Sequence, residues 1–234
     1  MDIRQYIEAS YSIHVKFFEE SEVFQRLVSG DADKDFYNNF IANVCQTHLK
    51  SPQILAFLYS AAPPTVASHI QHNMLEELGL DEEGVSHPSL LYKLAASTGF
   101  TEAMTQQLEN GFQAELKELM SQPFLFGTLK EFGLSVLLEV TCFEWMLSRL
   151  SSRIGKALED YHDLSAESLE WFYHHSEVDI RHAEEGLDSV VDYIDYYGFE
   201  QDDLAVIIDI TFRENIFIKR YFGEFALAAE TQML

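Results

Sequence analysis

Residues 171–185 read WFYHHSEVDIRHAEE, and the fold follows from how this stretch is periodic. His175, Asp179 and His182 stand at i, i+4 and i+7. At about 100° per residue, all three fall within a narrow arc on one face of an α-helix. His174 is rotated off that arc and has Val178 as its own i+4 neighbour, so His175 is the histidine assigned to the stripe. A polar stripe also arises on any solvated helix face, so its meaning depends on what the other helices present.

Outward from this helix, the chain is helical by pattern throughout. Segment 3–29 carries Ile13, Phe17, Phe18, Val23, Phe24 and Leu27 at helical spacing and stops at Gly30-Asp31. A second helix is predicted over 33–59, with Phe36, Phe40, Val44, Leu49 and Ile54 inward. Pro63 and Pro64 open a third, which ends near Leu78-Gly79. His87-Pro88 begins a shorter helix to about 97, and Thr101 caps another to about 120. A long apolar helix over 124–157, one over 165–196 and a last over 202–229 complete the chain. With only 5 prolines and 11 glycines in 234 residues, the expected architecture is an all-α, single-domain bundle of seven or eight helices covering 1–234.

Asp and Glu total 39 against 15 Lys and Arg, a formal charge of −24. So acidic a surface repels phosphate backbones and anionic lipid, which argues against nucleic-acid and membrane partners. No uninterrupted apolar run reaches about 18 residues. Cys45 and Cys142 lie in apolar stretches without a CxxC pattern, and the opening MDIRQYIEAS is not a signal peptide, so a cytoplasmic location without disulfides is expected.

Two further segments complement the 171–185 helix. In NMLEELGLDEEGVSHP (73–88), Glu77 ends one helix and His87 starts the next, so both can aim at one interior point. Glu76 competes with Glu77 for that role, while Asp81, Glu82 and Glu83 read as solvated. In LSVLLEVTCFEWMLSRL (134–150), Glu144 stands among apolar neighbours, where a carboxylate is costly to bury without a cation or partner. Glu139 lies about 140° around that helix and is expected to form an ion pair instead. Arg149 is expected in a surface salt bridge. His48 reads as a core histidine, and Phe17, Phe18, Phe40, Phe143, Trp145 and Trp171 as core or pocket lining. The six candidates (Glu77, His87, Glu144, His175, Asp179 and His182) offer mixed nitrogen and oxygen donors. Such a set suits two first-row ions, iron or manganese, better than structural zinc. The Asp-x-x-His half is similar to the Glu-x-x-His element by which helix bundles present ligands to a metal pair.

Glu77, then His87, then Glu144, then His175-x3-Asp179-x2-His182 is an order and spacing that resembles the haem-oxygenase-like di-metal oxidases, related to the TenA/PqqC-like superfamily. The resemblance spans residues 73–185, and the His-x3-Asp-x2-His helix is its most specific part. It implies that these six positions bind two iron ions, that dioxygen is the co-substrate and that a small organic molecule is oxidised. It also implies a possible homodimer. His14 stands where haem oxygenases carry their haem ligand, although the glycine-rich distal helix of those enzymes has no counterpart here. The competing expectations are a non-catalytic interaction protein on the same scaffold and a cofactor-free or haem-binding member of the superfamily.

Overall fold

Thr128 opens the longest helix of the computed structural model, Leu129–His162. Its hydroxyl accepts from the Glu131 amide while the Glu131 carboxylate accepts from the Thr128 amide, satisfying two otherwise orphaned donors. The structure describes residues 2–82, 84–121 and 126–214. Among them are ten helices: α1 (Ile3–Glu20), α2 (Glu22–Ser29), α3 (Lys34–His48), α4 (Ser51–Ala61), α5 (Pro64–Glu77), α6 (His87–Ser97), α7 (Glu102–Ser121), α8 (Leu129–His162), α9 (Glu170–Tyr197) and α10 (Gln201–Glu214). No strand occurs among the described residues. The all-α expectation therefore holds.

The helices outnumber the expected seven or eight because two predicted helices are each broken in the middle. Ser21 is extended (φ −67°, ψ 149°), and its hydroxyl accepts from the Phe24 amide; serine readily exchanges helix propagation for an N-cap. Lys50 leaves helical geometry (φ −122°, ψ 21°), and Pro52 occupies the first turn of α4, where its missing amide hydrogen costs nothing. The helix expected from residue 124 begins at Leu129, and that expected from 165 begins at Glu170. Phe124, Glu83 and the last helix beyond residue 214 lie outside the described residues.

The antiparallel pair α8 and α9 forms the spine. Leu138, Ile154 and Leu158 of α8 and Phe172, Leu187 and Val190 of α9 belong to one core cluster and are all fully buried. Each such side chain contributes roughly 1.5–3 kcal/mol of burial free energy. Gly186 lets the two helices approach closely: a Cβ there would sit 2.4 Å from Thr141 Cγ2. Helices α5 and α6 pack on α9, and α4 bridges α5 and α8. The carboxylate and histidine side chains of α5, α6, α8 and α9 are thereby turned towards a shared interior. No helix among the described residues is long and apolar enough to cross a membrane. Cys45 and Cys142 are both free and buried.

Candidate metal centre

Glu77 closes α5 and His87 opens α6, and the loop between them turns at Gly79 (φ +67°), where a Cβ would strike the Ser86 amide nitrogen at 2.6 Å. Only glycine fits that turn without strain. It brings His87 Nδ1 to 2.8 Å from Glu77 Oε1. Glu77 Oε2 accepts from the Ser51 hydroxyl at 2.5 Å. From α9, His175 Nε2 stands 3.8 Å from Glu77 Oε1, while its Nδ1 donates to the Trp171 carbonyl at 2.7 Å. That backbone bond fixes the tautomer and leaves Nε2 facing the carboxylate. Ligand atoms of Glu77, His87 and His175 all lie within 4.8 Å of one another. Burial alone would raise the Glu77 carboxyl, but the His175 and His87 imidazoles beside it outweigh that and hold Glu77 well below the usual carboxylate range.

One and two turns further along α9, Asp179 and His182 form a second group. His182 Nδ1 lies 3.3 Å from Asp179 Oδ1, and His182 Nε2 donates to Glu76 Oε2 at 2.7 Å. Burial opposes a charged imidazole there, yet Asp179 and Glu76 together push His182 up to about 11. The same pairing, aided by Arg181, overcomes burial and draws Glu76 down to about 2. Glu144 joins from α8, with Asn73 Nδ2 donating to its Oε1 at 2.5 Å. Burial pushes the Glu144 carboxyl up to about 7; His182 and Asn73 oppose the rise and the Asp179 charge adds to it.

The six residues picked from the sequence thus fall into two adjoining groups, Glu77–His87–His175 and Asp179–His182 with Glu144. Four of them, Glu77, Glu144, His175 and Asp179, border one cavity of about 60 Å³. The choice between Glu76 and Glu77 dissolves, because both carboxylates enter, one on each side. His174, set aside for lying off the stripe, places Nε2 3.0 Å from His87 Nε2; the adjacent imidazole pair in the sequence was the signal for it. Ser51 and Asn73 were also missed, since short polar residues on predicted helices carry no ligand signature. His72 turns to Glu76 at 3.0 Å.

Several expectations are corrected. Glu139 has no ion-pair partner among the described residues, and burial pushes its carboxyl up to about 8. Arg149 forms no salt bridge among the described residues: its guanidinium lies 3.5 Å above the Trp145 ring and donates to the Trp145 carbonyl. Of the aromatic residues singled out, Phe143 borders the cavity, Phe17 is exposed, and Phe18 and Phe40 are core. His14 stacks on Phe212 with ring centroids 4.3 Å apart and belongs to neither group.

Donor chemistry and burial both fit a metal. Asp179 Oδ2 is buried without a hydrogen-bond partner among the described residues, which is costly for a carboxylate oxygen unless a cation meets it. Oxygen and imidazole donors without thiolate suit iron or manganese.

By structure the chain is similar to a domain of unknown function with a heme oxygenase-like fold from Shewanella denitrificans. The TM-score is 0.56 at 15% identity, over 100% of this chain and 95% of that one. No curated protein matches the sequence. Residues 38–206 match the model of a family described as iron-containing redox enzyme. That stretch takes in every residue of both carboxylate–imidazole groups, and the chain belongs to this family of iron-containing redox enzymes.

Proposed function

We propose that the protein is a non-haem di-iron oxidase or oxygenase that uses dioxygen to oxidise a small organic molecule. Glu77, His87 and His175 would hold one ion, and Glu144, Asp179 and His182 the other. The observation that carries this reading is Asp179, which keeps one buried oxygen without a hydrogen-bond partner among the described residues and borders the same cavity as Glu77, Glu144 and His175. Three carboxylates nearly cancel the charge of two ferrous ions, so the loaded centre is close to neutral in its buried setting.

Two ferrous ions, when bound, would supply two of the four electrons that reduce dioxygen to water, the organic substrate or an external reductant supplying the others. The chain itself supplies orientation. The Trp171 carbonyl holds His175 in one tautomer, His174 engages the outer nitrogen of His87, and Asn73 anchors one oxygen of Glu144. Loss of a partner of this kind typically costs about 10- to 100-fold in metal affinity. Ile54, Leu55, Val140, Phe143 and Leu147, which border the same cavity, would limit water beside these groups.

Protein purified from iron-supplemented growth is expected to carry two irons per chain by elemental analysis and to show no Soret absorption. His182→Ala and His87→Ala should each lose iron. A wild-type protein that takes up no iron, or a His182→Ala variant with unchanged iron, would sink the reading. A Soret band would point to haem instead.

A further inference from the structure

The candidate centre can be approached from two sides, and the two differ in charge. On one side, the cavity of about 60 Å³ carries no carboxylate beyond the proposed ligands Glu77, Glu144 and Asp179. On the other, a surface concavity of about 370 Å³ is bordered by His72, Leu75, Glu76, Asp81, Glu82 and Arg181. None of these six is a proposed ligand. Glu76 and Asp81 also border an inner void of about 10 Å³, whose walls include His87, His174 and His182. That is about the room one water molecule needs. The outer concavity therefore leads to two proposed ligands through one narrow step. Acidity by itself means little in a chain of net charge −24; these carboxylates differ from the rest in standing along a path into the centre.

The path offers a donor at each stage. Asp81 Oδ1 accepts from the Gly84 amide at 3.1 Å, which anchors that carboxylate at the mouth. Glu76 Oε2 meets both His72 Nδ1 at 3.0 Å and His182 Nε2 at 2.7 Å, so it belongs to the concavity and to the centre alike. His174 Nε2, 3.0 Å from His87 Nε2, is a nitrogen donor in the inner void outside the proposed six. A dication that sheds its water needs such replacements, because a bare charge in the interior is costly. A cleft lined by one sign of charge also concentrates the opposite ion and speeds its association. Arg181 works against this. It is the one lysine or arginine bordering the concavity among the described residues, and its half-exposed guanidinium is paired with Glu76 Oε1.

We propose that the concavity of His72, Glu76, Asp81 and Glu82 is the port by which ferrous iron is loaded, and that Arg181 is the latch across it. The proposal rests on the di-iron reading above and adds the route by which the centre is filled.

Anaerobic stopped-flow mixing of chelator-stripped protein with ferrous iron alone tests this. The Trp171 ring stands 4.2 Å from the His175 ring, so quenching of its fluorescence follows loading without any turnover. The double variant Asp81→Asn/Glu82→Gln is expected to load about fivefold more slowly at low salt. The difference should shrink at high salt, and the final iron content should equal that of wild type. Arg181→Ala is expected to load faster. Asp202→Asn/Asp203→Asn, which removes two exposed charges from the start of α10, should load like wild type. An Asp81/Glu82 variant as fast as wild type, or a control pair slowed to the same extent, would overturn the port. An Arg181→Ala protein that loads no faster would overturn the latch. Each of these results leaves the iron site standing, whereas a wild-type protein that takes up no iron overturns both readings.

Discussion

His182 is held from both sides by carboxylates: its Nε2 donates to Glu76 Oε2 at 2.7 Å, and its Nδ1 faces Asp179 Oδ1 at 3.3 Å. Glu76 is at the same time the partner of two outer groups, Arg181 and His72. One carboxylate therefore links the interior imidazole to the surface.

If Glu76 orients His182 as a ligand, its removal should be felt as lost metal affinity. Glu76→Gln is expected to weaken iron binding about 10- to 100-fold, as is usual for carboxylates behind a histidine ligand. Arg181→Ala, which removes the outer ion pair and a longer contact to His182 Nε2 at 3.4 Å but leaves the Glu76–His182 bond, should change affinity less. Competitive metal titration of both variants checks this; equal losses would show that Glu76 matters only as an anchor for Arg181.

The close contact at Gly186 should be intolerant of a side chain. A Cβ there meets Thr141 Cγ2 at 2.4 Å and approaches Glu144 Oε2 to 3.4 Å. Gly186→Ala is expected to cost about 1–3 kcal/mol in urea unfolding through overpacking and to lower iron content by displacing Glu144. Unchanged stability together with full iron content would show that the two helices separate freely.

Glu139 gives the protein a pH dependence that can be isolated by mutation. Its carboxyl is pushed up to about 8 by burial, above the ordinary value that it regains on unfolding. Between those two values the folded state keeps a proton that the unfolded state has released, so stability falls as pH rises through this window. Glu139→Gln removes the effect. Relative to wild type, the thermal midpoint of the metal-free variant is expected to be higher at pH 9 than at pH 5. Parallel pH curves for the two proteins would refute this.

Asn73 keeps a carboxylate in place that burial is pushing towards neutrality. Loss of its amide in Asn73→Ala removes the 2.5 Å bond to Glu144, and the Glu144 carboxyl, already raised to about 7, should rise further. The ion assigned to Glu144, Asp179 and His182 is then expected to bind at least tenfold more weakly near neutral pH, whereas the other ion is retained. Counting irons per chain across pH tests it; two irons retained at every pH would rule out this role.

Whatever helical periodicity governs is legible along the chain without a structure. The 3.6-residue repeat alone places His175, Asp179 and His182 on one stripe, and the same periodicity marks α8 and α9 as long and apolar. Interruptions depended on single residues, Ser21 and Lys50, whose local bonds compete with helix continuation by small energies, and these were not visible in the pattern. How the helices are rotated against one another emerges only from their packing. Glu76 and Glu77 are adjacent on α5 and point about 100° apart. Packing of α5 on α9 sends one to His182 and the other to His87 and His175, and packing of α6 brings His87 to His174. The cavity, too, is assembled from α3, α4, α5, α8 and α9. Periodicity fixes which face of its own helix a side chain occupies, but the neighbour that face meets is set by long-range packing, which no local stretch encodes.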